Sequence, residues 1–156
     1  MKKEFGEFIK EIRKFRRMLE KAFEFEGDRI EHEEEVLFDE VVYTSKELES
    51  YLKDVVRELN RKIEAIRDYL AREYDIDKSN LRVSVTSFGD IYDIALSVFG
   101  EAMEQELYVE CQDVVYYSID NIETGEEMAD IELRITAEKR RDGGVGVEIL
   151  AIYDIY

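Results

Sequence analysis

The only histidine of the chain, His32, lies in a run of acidic residues and is the side chain best suited to proton transfer near neutral pH. Glu31 precedes it, and Glu33, Glu34 and Glu35 follow. A zinc site built on histidine needs further histidine or cysteine ligands, and a carboxylate-bridged di-iron site needs two Glu-x-x-His pairs. The sequence offers neither set of ligands, so we predict neither site. A hard cation such as Mg²⁺ among the carboxylates is the alternative to a solvated acidic face, which we favour.

Motifs for nucleophilic catalysis or phosphate binding are missing. A Ser–His–Asp or Cys–His site would have to use His32, and there is neither a Gly-x-Ser-x-Gly elbow nor a Gly-x-x-x-x-Gly-Lys loop. The glycine-rich residues 143–146 join two predicted strands and indicate a hairpin. The lone Cys111 alternates with Leu107 and Val109, which is typical of a buried thiol. We predict no catalytic, cofactor-binding or metal-binding residue, and an enzyme is the less favoured interpretation.

Two acids and a base, Asp130, Glu132 and Arg134, share one face of a predicted strand. Metal-dependent nucleases place carboxylates and a lysine on neighbouring strands, but no flanking catalytic element is identifiable here. We therefore interpret the row as a ladder of ion pairs on an exposed sheet face.

A basic stripe is the sharpest positive feature of the sequence. Residues 3–26 are predicted to form a helix that ends at Gly27, since apolar residues recur at helical spacing along one face. The apolar face comprises Phe5, Phe8, Ile9, Ile12, Phe15, Leu19, Ala22 and Phe23. The basic stripe lies opposite and comprises Lys10, Arg13, Lys14, Arg17 and Lys21, with Arg16 at its flank. Such a stripe suits nucleic acid, an anionic membrane or an acidic protein, and we favour pairing within the chain or between subunits.

The net charge of −17 decides among those partners. Residues 79–156 alone carry 5 Lys/Arg and 17 Asp/Glu, so they repel phosphate at long range, and we predict no nucleic-acid binding. No run of 18 apolar residues and no secretory signal is present, which predicts a cytoplasmic protein without a membrane partner. Abundant Glu, Lys and Arg with few amides is a composition typical of thermophiles.

The periodicity predicts an α+β protein, residues 1–156 forming a single domain with a helical half (1–76) and a sheet half (79–156). Two long N-terminal amphipathic helices, 3–26 and 45–74, are expected to pack on an antiparallel meander of about five strands. The second helix is predicted with Ser45 as its N-cap. Its apolar stripe comprises Leu48, Leu52, Val55, Leu59, Ile63, Ile66 and Leu70.

The strands are predicted at 81–87, 91–99, 106–119, 130–140 and 145–155. Residues 91–99 also fit helical spacing with Asp90 as a cap, but Gly100 within the pattern counts against a helix, so we favour a strand there. For residues 28–43 the sequence fits either a short strand or a short helix, and we predict a connector that contains one of the two. Helices first and hairpin strands after resemble, in outline, the cystatin-like architecture, which by itself implies no function.

The last strand is apolar on both faces, with Leu150, Ile152 and Tyr156 on the face opposite the main apolar row. One face needs a cover beyond the two helices, which predicts a homo-oligomer. The leading hypothesis is a non-enzymatic interaction or assembly protein that self-associates through helix and sheet surfaces. The alternatives are a small-molecule binder or enzyme using a helix–sheet cavity, and an acidic regulator of a basic partner.

Overall fold

A computed structural model describes residues 31–85, 87 and 89–156. The predicted first helix and its basic stripe lie outside these residues. The described chain forms one five-stranded sheet in the order β1-β5-β4-β3-β2, with every pair of neighbours antiparallel. The elements along the chain are β1 (Glu31–Val42), α1 (Ser45–Glu73), a 3₁₀ turn (Lys78–Asn80), β2 (Leu81–Val85), α2 (Ile91–Glu104), β3 (Glu110–Asn121), β4 (Glu126–Lys139) and β5 (Val145–Ile155).

The α+β class is confirmed, but the arrangement of two long helices ahead of all strands is not. The helix α1 follows a strand, and β1 pairs along its length with β5, the last strand of the chain. The first described element therefore forms one edge of the sheet, next to the last strand, and the sheet is not a simple meander.

The sequence left residues 28–43 undecided between a strand and a helix, and in the structure residues 31–42 form a long edge strand. β1 has 12 residues, and its register against β5 shifts between Val36 and Phe38. That shift leaves Leu37 without a partner on β5, which is a β-bulge. The alternation of side chains between the two faces of the sheet is therefore interrupted at Leu37.

The strand predicted at 91–99 is wrong, because these residues belong to α2. Asp90 caps the helix by accepting a hydrogen bond from the Asp93 backbone N–H at 3.0 Å. Gly100, which counted against a helix, lies on the exposed side of α2, and apart from the adjoining residues of the helix no atom lies within 4 Å of the position that a Cβ would occupy. Its propensity cost of about 1 kcal/mol is outweighed by the buried stripe on the other side. That stripe comprises Ile91, Ala95, Val98, Phe99 and Ala102.

The spacing that predicted α1 is confirmed by burial, since every apolar position of its stripe is inside the protein. These are Leu48, Leu52, Val55, Leu59, Ile63, Ile66 and Leu70. The capping residue is Thr44, one position before the predicted Ser45; its hydroxyl accepts from the Glu47 N–H at 3.1 Å. The helix α2 packs over β3 and β4, and α1 packs against α2 and β1. Both helices form one layer on one face of the sheet.

The predicted glycine-rich hairpin is confirmed by backbone geometry, and the β3–β4 hairpin has the same feature. Gly143 has φ +89° in the β4–β5 hairpin, and Gly125 has φ +72° in the β3–β4 hairpin. Both values lie in the left-handed region that glycine adopts without a steric penalty. The hairpins bring β3, β4 and β5 into the register that aligns their side chains across the sheet.

Candidate interaction surface

The strands present alternate residues to the helices and to the opposite side, which we call the open sheet face. On β4 the residues under the helices are fully buried, whereas those between them are partly exposed. The open sheet face comprises His32, Glu34, Val36, Asp39 and Val41 of β1, Gly146, Glu148, Leu150, Ile152 and Asp154 of β5, Asp130, Glu132, Arg134, Thr136 and Glu138 of β4, and Gln112, Val114, Tyr116 and Ser118 of β3.

An apolar band crosses the middle of this face, roughly perpendicular to the strands. Val36 lies directly opposite Leu150, and in the next row Ile152 and Tyr116 lie on either side of Glu132. Val36 is 53% exposed and Tyr116 is 40% exposed. The band is therefore accessible at both ends.

The predicted interaction residues on β5 behave differently from one another. Leu150 is half-buried, as an interface residue in a free chain would be, but Ile152 is only 7% exposed within one chain. Its register neighbours Glu34 and Glu132 lie directly opposite, close enough for their methylene groups to shield it. Ile152 therefore gives no support to self-association, and the exposed apolar area of the face rests on Val36, Val41, Tyr116 and Leu150.

Acidic residues border the band along both sides. Asp154 and Asp130 form a row with His32 on one side, and Asp39 and Glu148 form a row on the other. The face combines an apolar centre with an acidic rim, a pattern that suits a partner with apolar residues and basic neighbours.

His32 belongs to the rim and is paired within the sheet. Its Nδ1 lies 2.8 Å from Asp154 Oδ1, and its Nε2 lies 3.2 Å from Glu34 Oε1. The hydrogen bond to Asp154 raises the pKa of the imidazole, which favours its charged form. Among the described residues, no group of histidine, cysteine and acidic side chains is arranged to hold a metal ion.

A second contact of the rim joins two strands at the chain's C-terminal end. The Tyr156 hydroxyl donates a hydrogen bond to Asp130 Oδ2. Partial burial raises the pKa of the Asp130 carboxyl, and the tyrosine only partly offsets this. Burial and the nearby Asp130 also raise the pKa of Glu127. Asp130 and Glu127, with Tyr116 and Asp154, line a depression of about 600 Å³.

The predicted acid–acid–base row of β4 shares one face, as expected, but its ion pair runs along the strand. Arg134 contacts Glu132, two residues before it, at 2.8 Å. Asp130 interacts with Tyr156 instead of a base. The ladder across strands is therefore replaced by pairing within β4, and the face keeps an acidic excess.

Cys111 is buried, as predicted, and burial raises the pKa of its thiol, which keeps it protonated and unreactive at neutral pH. Tyr156 lies at the edge of the open sheet face, whereas the basic stripe lies outside the described residues. Sequence reasoning missed Val36, because the bulge at Leu37 hides its alternation. Tyr116 was also not predicted as a surface residue, because the sequence around it, residues 114–119, is apolar on both faces of a strand.

A smaller apolar patch lies at one end of the sheet. Leu107, Tyr108 and Val109 are consecutive and exposed in the turn before β3, and Tyr108 has φ +62°. The Tyr108 N–H donates to the Lys139 carbonyl at 2.9 Å, which fixes the turn against β4. Acidic residues flank the turn at Glu106 and Glu110.

Comparison of the chain with protein-family models, with curated proteins and with solved structures finds no match. No helix within the described ranges has the length and apolar character needed to cross a bilayer. The open sheet face is therefore the candidate functional surface.

Proposed function

We propose that the protein is a non-enzymatic interaction protein that self-associates, with the open sheet face as its main interface. The observation that carries the proposal is the uneven covering of the sheet: one face lies beneath α1 and α2, while the other exposes Val36 and Tyr116. Sheets with apolar residues on both faces are normally covered on both.

The size of the face is adequate for such an interface. The four strands that form the open sheet face, each about 4.8 Å wide and about 12 residues long at 3.3 Å rise, give a surface of roughly 20 by 40 Å. Its area of roughly 800 Å² equals what one partner contributes to a standard protein–protein interface. The acidic rim requires that the partner surface bring basic groups, since unpaired buried carboxylates would oppose association.

The alternative of an enzyme or small-molecule binder has less support. The depression of about 600 Å³ lies on the open sheet face. The groove between β1 and α1 has about 380 Å³ and opens to solvent among acidic side chains, Asp39, Glu40, Asp54 and Glu58. Asp130 is engaged by Tyr156, and Asp154 is engaged by His32. An arrangement of already paired side chains in an open depression suits a contact surface better than acid–base catalysis.

The alternative of an acidic regulator is favoured by one specific observation, the acidic excess of the open sheet face. A basic protein of another sequence would then occupy the same surface. Both hypotheses predict binding that weakens with added salt. Only self-association makes the average molecular mass of the purified protein in solution increase with its concentration.

Light scattering and sedimentation of the purified chain between about 1 and 100 μM test the proposal. We expect a dimer or a larger oligomer, and a double variant Val36→Ser, Tyr116→Ser should weaken it by about tenfold or more, because two exposed apolar contacts are lost. Val85→Ser is the matched control, since Val85 is similarly exposed on β2. A wild-type chain that stays monomeric over the whole range would rule out self-association.

A further inference from the structure

We propose that the groove between β1 and α1 binds an extended basic segment of a partner protein, which adds to the outer edge of β1 as a further strand of the sheet. The segment has an apolar side chain with a lysine or arginine two residues to each side of it. An edge strand, a pair of aromatic rings and acidic side chains meet around this groove. The proposal goes beyond self-association, because it uses the edge of the sheet and not the open sheet face.

The outer edge of β1 is the longest unpaired strand edge in the described part of the chain. β1 has 12 residues and pairs with β5 on one side, and no described strand pairs with its other side. Since backbone groups alternate in direction along a strand, about half of these residues direct their N–H and C=O groups away from β5. β2, at the opposite edge of the sheet, has only five residues. The edge of β1 therefore offers the longer template for main-chain hydrogen bonds to an added strand.

The centre of the groove is apolar. The groove has a volume of about 380 Å³ and lies between residues 36–40 of β1 and one side of α1. The ring centroids of Phe38 on β1 and Tyr51 on α1 are 5.2 Å apart. Phe38 and the neighbouring Val55 are buried, whereas Tyr51 is 39% exposed. Part of the tyrosine ring therefore remains accessible to an apolar side chain of the added strand.

The order of side chains along the groove follows from the direction of α1. Tyr51 lies against Phe38. Lys62 lies about three turns further along α1 and contacts Glu35, with 2.7 Å between Nζ and Oε2. Since Glu35 precedes Phe38 in β1, α1 runs back along the strand in the antiparallel direction.

Acidic side chains lie on both sides of the aromatic pair. Asp54 and Glu58 follow Tyr51 by three and seven residues, so they share its side of α1 and extend the groove toward the start of β1. Glu40 lies at the other end of the groove, two residues beyond Phe38 and on the same side of β1. The groove therefore has an acidic group, an aromatic centre and further acidic groups in that order.

The nearest bases offset this negative charge only in part. Arg57 contacts Asp54 at 3.2 Å, and Arg61 contacts Glu58 at 3.8 Å. Glu40 is exposed and makes no ion pair among the described residues. In an extended segment, side chains two residues apart point to the same side and are about 7 Å apart. A base, an apolar residue and a base at that spacing match the order of groups along the groove.

A second copy of β1 is a poor occupant of the same edge, because it brings the same charges. Two β1 strands paired in antiparallel fashion about Leu37 would place Glu34 opposite Glu40 and Glu35 opposite Asp39. Like charges directly opposite each other destabilise a strand pair. The acidic residues of β1 therefore disfavour pairing of the strand with itself and favour a basic strand.

Fluorescence anisotropy with a synthetic peptide tests the proposal on the full chain. The probe is a rhodamine-labelled peptide, Gly-Thr-Lys-Val-Leu-Val-Lys-Thr-amide, whose two lysines and central leucine share one side of an extended strand. We expect binding that Tyr51→Ser weakens by about tenfold or more in Kd, because the ring that contacts the leucine is lost. Tyr116→Ser is the matched control. Tyr116 is 40% exposed on the open sheet face, and its replacement should leave the Kd unchanged.

Changes in the peptide and in the charge of the groove make the test independent of how Tyr51→Ser folds. A peptide with serine in place of the leucine should bind the unaltered protein about tenfold more weakly. Glu40→Gln should raise the Kd of the original peptide by about two- to threefold, since an exposed ion pair is lost. Glu126→Gln, at an exposed position on β4, is the matched control and should leave the Kd unchanged.

Methylation of the peptide backbone tests strand addition itself. Only alternate N–H groups of an added strand face β1. Two analogues carry N-methyl groups, one on both lysines and the other on both valines. We expect one analogue to lose binding and the other to retain it. An equal effect of the two methylation patterns would contradict strand addition.

The remaining outcomes separate this proposal from other occupants and from self-association. Binding that is lost in Tyr116→Ser and retained in Tyr51→Ser would place the peptide on the open sheet face and overturn the proposal. Equal weakening by Glu40→Gln and Glu126→Gln would reduce it to unspecific charge attraction. An oligomer that dissociates when the peptide is added would assign the groove to a second copy. An absence of binding up to about 1 mM protein would overturn the proposal, whereas a monomeric chain that binds in the groove would support it even though self-association fails.

Discussion

The two faces of the sheet are built from alternate residues of the same strands, yet they have opposite physical character. On β4, Ile131, Leu133 and Ile135 are fully buried beneath the helices, while Glu132 and Arg134 between them reach solvent. The covered face has no requirement beyond volume and packing. The open face combines charge, hydrogen bonds and exposed apolar groups. The buried apolar packing is therefore concentrated on one side of the sheet, and the accessible charged and apolar groups lie on the other.

One ion pair enters the covered side and shows how charge is handled there. Lys62 of α1 is 5% exposed, and its Nζ lies 2.7 Å from Glu35 Oε2 on β1. Tyr153 of β5 lies in the same region, where burial and the nearby Glu35 raise the pKa of its hydroxyl well above the ordinary value. The pair ties α1 to the edge strand. By contrast, the ion pairs of the open face, such as Arg134 with Glu132, are substantially solvated.

The largest expected difference between the faces comes from two consecutive residues of β5. Ile149 is fully buried beneath the helices, and Leu150 is half-buried on the open face. Ile149→Ala should lower the free energy of unfolding by about 3 kcal/mol, because it leaves a cavity in a packed core. Leu150→Ala should lower it by about 1 kcal/mol or less. Urea denaturation at low protein concentration measures both, and equal losses would show that the open face is covered within one chain.

The next largest effect concerns the ion pair on the covered side. Lys62→Ala should lower the free energy of unfolding by about 2 kcal/mol, since Glu35 then loses its partner in a partly buried site. Lys62→Met keeps the aliphatic stem, and in the double variant Lys62→Met, Glu35→Gln most of the loss should be recovered. Arg134→Ala on the open face is the comparison and should cost less than about 1 kcal/mol. A double variant no more stable than Lys62→Ala would contradict an unpaired charge as the cause.

The covered side was largely predictable from the sequence, because burial on one face imposes a strict period. The stripe from Leu48 to Leu70 predicted α1, and the alternation of residues 130–140 and 145–155 predicted β4 and β5 to within a few residues. The Arg141–Gly144 turn was predictable since only glycine adopts such a φ easily.

The errors lie where two physical rules compete. Residues 91–99 are apolar enough for either period, and Gly100 favoured a strand, but packing of α2 on β3 and β4 overrode that local preference. β1 is acidic because it is an edge strand, where charged residues protect against unwanted pairing. The bulge at Leu37 also breaks the alternation of side chains along β1. Neither the composition nor the periodicity of the sequence therefore indicated a strand of this length.

The candidate surface was predictable only in part. Leu150 and Tyr156 follow from the pattern of β5 alone. Val36 and Tyr116 become part of one band only through the register of β1 on β5 and of β3 on β4. Pairing between strands distant in sequence is not contained in local periodicity. The contact between Tyr156 and Asp130 has the same origin.

A smaller effect, of opposite sign, is expected from the acidic rim. The pKa of Asp130 is raised in the folded chain, so the stability it contributes is present below its unfolded pKa and is lost as pH rises through the folded value. At pH 7 its ionised form therefore opposes folding, and Asp130→Asn should stabilise the protein by a few tenths of a kcal/mol. The gain should disappear near pH 3.5. Glu126→Gln, exposed at the start of β4, is the control and should show no such gain.

The smallest effect is expected from His32, which is half exposed and lies on the open face. The pKa of the imidazole is raised by its bond to Asp154, so its stabilisation is present in full below the unfolded pKa of about 6.5 and is lost as pH rises through the folded value. His32→Ala should therefore lower the melting temperature by about 1 °C at pH 5.5 and leave it unchanged at pH 8.5. His32→Gln, which keeps a hydrogen-bonding group without the charge, should reproduce that loss at pH 5.5. A loss of several degrees at both pH values would mean that His32 acts through packing, like a residue of the covered face, and the contrast between the two faces would fail at the start of β1.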